Sequence, residues 1–166
     1  MMKIDFSDQV VLITGATRGI GKQIADDFSL SAAKLILTGT SREQIDQLNQ
    51  NASGGNKEYY CVDFSNQPSI DSFLEQIKKY KRIDVCINNA GINKVDYIDE
   101  IDPKDWDRIM AVNLKAPFLL TRLVAGIMKR NNYGRIVNIA SIFGVISRQK
   151  RSSYTASKFG LRGLTI

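Results

Sequence analysis

An α/β fold built on a doubly wound parallel sheet is predicted by two observations on this chain. Short, β-rich apolar runs alternate with stretches whose apolar residues recur at helical spacing, and the apolar runs are unbroken rather than period-two. Unbroken runs mark strands buried on both faces, as a parallel sheet covered by helices requires. The runs are VVLIT at 10–14, KLILT at 34–38, KEYYCV at 57–62, IDVCIN at 83–88 and RIVNIA at 135–140. Between them lie the helical stretches 19–31, 42–50, 68–80 and 103–131, with Ile70, Phe73, Leu74 and Ile77 showing the spacing.

The helices carry legible start signals. Thr40 followed by Glu43 predicts a capping box ahead of 42–50. Pro68 opens the next helix at its first turn, and Asp102 before Pro103 caps the long one. Pro117, inside NLKAPFLLTRL, predicts a kink in that helix or a point where a side chain turns toward the sheet edge.

With 166 residues and no Pro/Gly/Ser-rich linker, residues 1–166 read as a single domain. No apolar run approaches membrane-spanning length, and MMKIDFSDQ turns polar before the first apolar run, so neither a membrane span nor a signal peptide is expected. A cytoplasmic location follows as an expectation. Cys61 and Cys86 sit inside apolar runs and read as buried free thiols. The absence of His excludes a His-based triad and the usual zinc site, and no metal is expected. The net charge of +6 comes from scattered Lys and Arg, which argues against nucleic acid and fits an anionic small molecule.

ITGATRGIGKQIA places Gly15, Gly19 and Gly21 directly after the first strand, at the opening of a helix. A tight turn needs residues without a Cβ, the backbone must approach a pyrophosphate closely, and a helix N-terminus supplies free N–H groups. In an alternating α/β chain this pattern points to a Rossmann-like dinucleotide site.

Thr14, Gly15, Gly19 and Gly21 form the spacing TGxxxGxG, which resembles the short-chain dehydrogenase/reductase family. Further matches follow in that family's order: Asp63, NNAG at 88–91, Asn113, Ser141, and Tyr154 with Lys158. The resemblance covers essentially the whole chain. It implies that Gly15, Thr17, Arg18, Gly19, Ile20 and Gly21 line a nicotinamide dinucleotide, that Asp63 contacts the adenine amino group, and that Asn89, Ala90 and Gly91, with Asn88, shape the site beside the riboses.

The second strand ends LILTGTSREQ, where a site selective for NAD(H) would carry a carboxylate. Thr40, Ser41 and Arg42 stand there instead, and Arg18 adds a second cation. Hydroxyls and a guanidinium bind a 2′-phosphate that a carboxylate would repel, so NADP(H) is favoured over NAD(H).

Tyr154 and Lys158 are four apart, so a helix presents both on one face. A fixed cation favours the phenolate of a nearby phenol, whose ordinary pKa near ~10 makes it a poor proton carrier at neutral pH. The resemblance implies that Lys158 also holds the nicotinamide ribose, that Tyr154 delivers the proton, and that Asn113 holds a water in a relay from Lys158 to solvent. Ser141, in the loop after the fifth run, is suited to polarise a substrate carbonyl by hydrogen bonding. The implied reaction is reduction of a ketone to a secondary alcohol.

The texture of GRIVNIASIFGV, VNLKAPFLLT and YTASKFGLRGLT resembles reductases of 3-oxoacyl groups on acyl carrier protein, whose relatives act on sugars, steroids and other ketones. SRQKR at 147–151, beside the expected site mouth, could attract an acidic carrier protein or an anionic substrate. Phe118, Leu119, Leu123, Phe159 and Leu161 serve either core packing or a helix face for a homodimer or homotetramer. Family members continue after the Tyr/Lys helix with at least two more strands, whereas this chain ends eight residues after Lys158. It therefore reads as the N-terminal portion of a longer fold, with the alternative of a non-catalytic nucleotide-binding chain.

Overall fold

The five apolar runs become five strands of one parallel sheet in the computed structural model, which describes residues 5–52 and 55–166. The strands are β1 (Val10–Ile13), β2 (Lys34–Gly39), β3 (Lys57–Cys61), β4 (Val85–Asn88) and β5 (Arg135–Asn138), in the order β3-β2-β1-β4-β5. The chain winds outward from β1 to β3, then crosses back to build β4 and β5 on the other side of β1. Leu12 of β1 pairs in register with Ile36 of β2 and Cys86 of β4. Residues 1–4, the start of the stretch read as lacking a signal peptide, lie outside the described residues.

Side chains alternate along each strand, so each helix layer receives its own half of the core. Leu12, Ile36 and Cys86 meet Phe73 of α3 (Gln67–Ile77) together with Leu120 and Val124 of α5 (Ala116–Arg130). Val11, Ile13, Leu35 and Leu37 meet Ala25 of α1 (Gly19–Leu30) on the opposite face. Each such side chain contributes about 1.5–3 kcal/mol by leaving water, so neither layer is dispensable. The strand order and both covered faces establish the doubly wound α/β class.

Asp84, immediately before β4, is completely buried. Its Oδ2 accepts the Val10 N–H at 2.8 Å, its own N–H donates to Val10 O at 2.8 Å and its Oδ1 accepts Arg82 Nε at 2.6 Å, so carboxylate and backbone together join the starts of β1 and β4.

The cap of α2 (Arg42–Asn51) differs from expectation. Ser41, not Thr40, holds the extended backbone of the cap, and its Oγ accepts the Gln44 N–H at 3.3 Å. The other signals stand as read: Pro68 lies in the first turn of α3 behind an Asn66 cap, and Asp102 Oδ1 accepts the Lys104 N–H at 2.8 Å ahead of α4 (Pro103–Met110).

Between α4 and α5 the helix widens into a π-turn over Ala111–Lys115, where the Ala116 N–H reaches back five residues to Ala111 O. Pro117, two residues after that turn, has no N–H to offer the Asn113 carbonyl four residues earlier, and the wide turn absorbs the mismatch. By length and composition alone the joined run Pro103–Arg130 is long and apolar enough to cross a bilayer, a length that the sequence reading of separate apolar runs did not anticipate. Its buried residues Ala116, Leu120, Val124 and Ile127 are committed to the sheet.

Of the five residues shared between core and assembly readings, Leu161 is buried, Leu119 and Leu123 pack partly against the core, and Phe118 and Phe159 remain exposed. Cys86 is a buried thiol pushed up to about 12 by desolvation, whereas Cys61 is only half-buried.

Candidate functional site

The crossing from β3 back to β4 opens a cleft at the carboxyl ends of the strands, and the loop after β1 lines it. Gly15 and Gly19 adopt φ of 64° and 55°, where a side chain is strained. Gly21 is required for a different reason: a Cβ there would lie 2.3 Å from Gly15 O and 2.4 Å from Asn89 Nδ2.

Asn89 locks this loop to the one after β4, because its Nδ2 donates to Thr14 O at 2.9 Å and Gly15 O at 3.0 Å. Thr14 Oγ1 returns the tie by accepting the Asn89 and Ala90 N–H groups at 3.0 and 2.9 Å. Thr38 Oγ1 accepts the Gly15 N–H at 3.0 Å. Thr38 escaped sequence reading because a buried Thr ending an apolar strand carries no distinguishing signal.

The cleft encloses about 400 Å³. Gly15, Thr17, Arg18, Gly19, Ile20 and Thr40 line it from the ends of β1 and β2, while Asp63, Asn89, Ala90 and Gly91 line it from the ends of β3 and β4. Phe64, Ile92, Arg108 and Val112, none of them singled out in the sequence, complete the wall. Ser41 is occupied in capping α2, and Arg42 lines a separate polar groove of about 250 Å³ with Cys61 and Ser69. The Asp63 carboxylate accepts from Ser65 N at 2.8 Å and Ser65 Oγ at 2.6 Å, bonds that hold it below the ordinary carboxyl range, with Arg108 adding a smaller pull.

Asn88, expected to join Asn89 at the ribose side, turns away from the cleft. Its Nδ2 donates to Asn138 Oδ1 at 2.8 Å and Thr121 Oγ1 at 3.3 Å, because odd and even positions of a strand end face opposite layers.

Helix α6 (Ser152–Thr165) carries Tyr154 in its first turn and Lys158 one turn later. Lys158 is 4% exposed, its Nζ lies 5.7 Å from the centre of the Tyr154 ring, and the same ammonium donates to Ile139 O at 2.8 Å. Burial lowers its pKa. A methyl at Gly91 would lie 3.6 Å from Lys158 Nζ and 3.5 Å from Asn113 Oδ1, so lysine and asparagine converge where the cleft passes Gly91.

Ser141 begins a short 3-10 turn, Ile142–Gly144, that packs on α6 closely enough to place a Gly144 Cβ 3.1 Å from Lys158 O. Ser141 Oγ accepts the Phe143 N–H at 3.2 Å, which leaves its hydroxyl hydrogen free to donate elsewhere. The Phe143 ring meets Tyr154 edge-on at 6.1 Å. Among the described residues the Tyr154 hydroxyl has no hydrogen-bond partner. Lys158 and Asn113 thus meet behind Gly91 of the cleft wall, with Tyr154 and the Ser141 turn packed beside Lys158, and none of the four lines the cleft itself.

Asn113 is fully buried, and its side chain is spent inside the protein. Its Oδ1 accepts Ile92 N–H at 2.9 Å, while Nδ2 donates to Ile92 O at 2.9 Å and Ser157 Oγ at 3.0 Å. The basic stretch 147–151 borders the same cluster: Arg151 stacks 5.8 Å over Phe143, and Lys150 sits 4.1 Å over the Tyr97 ring.

The family model described as short chain dehydrogenase matches residues 9–166. The chain belongs to the short-chain dehydrogenase family. Among curated relatives, the 3-oxoacyl-[acyl-carrier-protein] reductase FabG of Thermotoga maritima is 36% identical over 95% of this chain and 65% of its own length. The D-beta-hydroxybutyrate dehydrogenase of Cupriavidus necator is 34% identical over 95% of this chain and 62% of its own. A solved metagenomic short-chain oxidoreductase in complex with NADP superposes with a TM-score of 0.87 at 37% identity, covering 96% of this chain and 73% of that one. This short-chain dehydrogenase chain therefore spans about two thirds of the curated relatives it matches.

Proposed function

We propose that the chain forms the cofactor-binding and proton-transfer part of an NADP(H)-dependent oxidoreductase that reduces a ketone to a secondary alcohol. The observation that carries this reading is the placement of buried Lys158, 5.7 Å from the Tyr154 ring and beside Gly91, at the end of a glycine-lined cleft. The cleft suits a dinucleotide on its own terms: Gly15 and Gly21 let the loop pack tightly against the one after β4, Gly19 leaves open space at the start of α1, and the opening of that helix offers N–H groups to a pyrophosphate. The solved relative in complex with NADP supports the choice of cofactor.

Gly15, Thr17, Gly19, Ile20 and Gly21 serve the pyrophosphate; Arg18 and Thr40 serve the 2′-phosphate from the cleft, with Ser41 and Arg42 beside it at the start of α2; Asp63 faces the adenine. Asn89 fixes the loops, while Ala90 and Gly91 admit the riboses and Lys158 holds the nicotinamide ribose hydroxyls. The nicotinamide, when bound, supplies the hydride. Ser141 donates its free hydroxyl hydrogen to the substrate carbonyl, and Tyr154 gives the phenolic proton to the same oxygen as negative charge develops there. Lys158, an ammonium in a dry site, favours the resulting phenolate. Because the Asn113 side chain is fully engaged, the group it offers a relay water is its main-chain carbonyl, deprived by Pro117 of the usual donor.

A 3-oxoacyl thioester, carried by an acyl carrier protein, is the substrate class favoured by the names of the relatives, two of which share a chain oxygenated at the β-carbon. Apolar Ile142, Val145 and Ile146, exposed beside the basic loop 147–151, suit an acyl chain bearing an anionic group. Exposed Phe118 and Phe159 supply a helix face for a homodimer or homotetramer.

The test is calorimetric titration of NADPH followed by ketone reduction, on the chain and on its Tyr154→Phe variant. Saturable NADPH binding in both, with turnover lost in the variant, is expected. Turnover retained by Tyr154→Phe would sink the proton-transfer role; binding without turnover in either would leave a nucleotide-binding chain.

A further inference from the structure

The loops expected from the sequence account for the glycine-lined side of the cleft, but not for the wall contributed by α4. Arg108 stands in the last turn of α4 and lines the cleft together with Asp63, Phe64 and Val112. It is exposed, and among the described residues no carboxylate lies within ion-pairing distance of it. Asp63 feels its charge without bridging to it: Ser65 holds Oδ1, while among the described residues Oδ2 accepts no hydrogen bond.

Arg108, without an acid partner, borders both this cleft and a neighbouring cavity of about 770 Å³ lined by Ser65, Lys104 and Phe118, and on the cleft side, beside Phe64 and Val112, a flat aromatic base is a fitting partner for its guanidinium. Guanidinium groups stack on π-faces, and arginine does so better than lysine because its cation is planar and weakly hydrated. The opposite requirement, a hydrogen-bond acceptor for an exocyclic amino group, is met at Asp63. Building on the cofactor reading above, we infer that Arg108 is a specificity-determining residue that covers the adenine base of the dinucleotide while Asp63 reads its edge.

The inference separates Arg108 from the phosphate-binding cations. Arg18 acts on the charge of the 2′-phosphate, so its loss should weaken 2′,5′-ADP and NADPH while sparing NADH. Arg108 acts on the base, so its loss should weaken every ligand with a purine by the same factor and leave nicotinamide mononucleotide untouched.

The experiment is calorimetric titration of 2′,5′-ADP, NADPH, deamino-NADPH and reduced nicotinamide mononucleotide into the chain and its Arg108→Ala, Arg108→Lys and Asp63→Asn variants. Arg108 is exposed, so its variants should fold. Arg108→Ala should weaken 2′,5′-ADP, NADPH and deamino-NADPH alike, by about 2- to 30-fold, with Arg108→Lys between it and the unaltered chain. Asp63→Asn should instead narrow the preference for NADPH over deamino-NADPH, which has a carbonyl where adenine has its amino group. Unchanged 2′,5′-ADP affinity in Arg108→Ala, or full rescue by lysine, would overturn base stacking while leaving the cofactor reading intact. Failure of the unaltered chain to bind 2′,5′-ADP would overturn both.

Discussion

Ser157 Oγ accepts the Asn113 side-chain amide at 3.0 Å and donates to the Tyr154 carbonyl at 2.7 Å, so one buried hydroxyl joins the π-turn to the helix that carries Tyr154 and Lys158. Asn113 extends the tie to the loop after β4 through both polar groups of Ile92. Three segments distant in sequence are thereby held in one register, beneath the end of the cleft.

Ser157→Ala should therefore do more than remove a surface-type hydrogen bond. It strips a buried amide hydrogen of its acceptor, and an unsatisfied buried donor costs about 1–3 kcal/mol. Urea denaturation should show a loss of that size. A loss below about 0.5 kcal/mol, within the range of ordinary surface substitutions, would mean that the tie is slack.

Two glycines of the same loop should respond differently to a methyl group. Gly21→Ala drives a Cβ to 2.3 Å from the Gly15 carbonyl oxygen, a backbone atom that cannot step aside without moving the loop. Gly19→Ala meets nothing within 4 Å and suffers only its left-handed φ of 55°. Overpacking costs about 1–3 kcal/mol and a left-handed alanine about 1–2 kcal/mol, but only the first displaces the Asn89 lock and the cleft with it. Thermal melts paired with 2′,5′-ADP titration should show a larger affinity loss for Gly21→Ala; equal affinity losses would contradict the packing argument.

Lys158 makes a prediction about pH. Burial lowers its pKa in the folded chain below the ordinary 10.5, so between the two values the unfolded chain binds a proton that the folded chain does not. Stability contributed by this group therefore rises with pH across that window and is at its poorest below the folded pKa, where both states are protonated and the ammonium remains in a dry site. Lys158→Met should melt higher than the unaltered chain at pH 7, with the gap shrinking as pH approaches 10.5. A gap independent of pH would show that desolvation of the ammonium is not the cause. The same variant should lose turnover, as expected when a site holds a destabilising charge for its chemistry.

How much of this was visible in the sequence depended on whether a residue's signal was local. Unbroken runs such as KLILT and the left-handed glycines declare themselves within a few positions, because burial on both faces and a missing Cβ are requirements of the segment alone. The cap of α2 was misassigned by one residue because Thr40 and Ser41 are both competent caps, and only the path of the chain leaving β2 decides between them. Asn88 and Asn89 look equivalent in NNAG, yet the strand's alternation sends one into the α5 layer and the other to the glycine loop. Thr38, Ser157 and Arg108 were illegible because their importance lies entirely in partners far along the chain.

The arginines near the end of β2 separate charge from position. Arg18 and Thr40 line the glycine-lined cleft, whereas Arg42 lines the neighbouring polar groove from the first turn of α2. If both cations serve a 2′-phosphate, each should matter to NADPH and neither to NADH. Arg18→Ala should weaken NADPH by roughly 10-fold or more, the scale of a hydrogen bond to a charged group, while leaving NADH nearly unchanged. Arg42→Asp adds repulsion to the loss and should bring the affinity ratio toward NADH. Titrating both cofactors into each variant decides the matter: a shift with Arg18 alone confines the phosphate to the cleft, a shift with both extends its subsite to the start of α2, and an unchanged ratio in both removes the basis for NADP(H) preference.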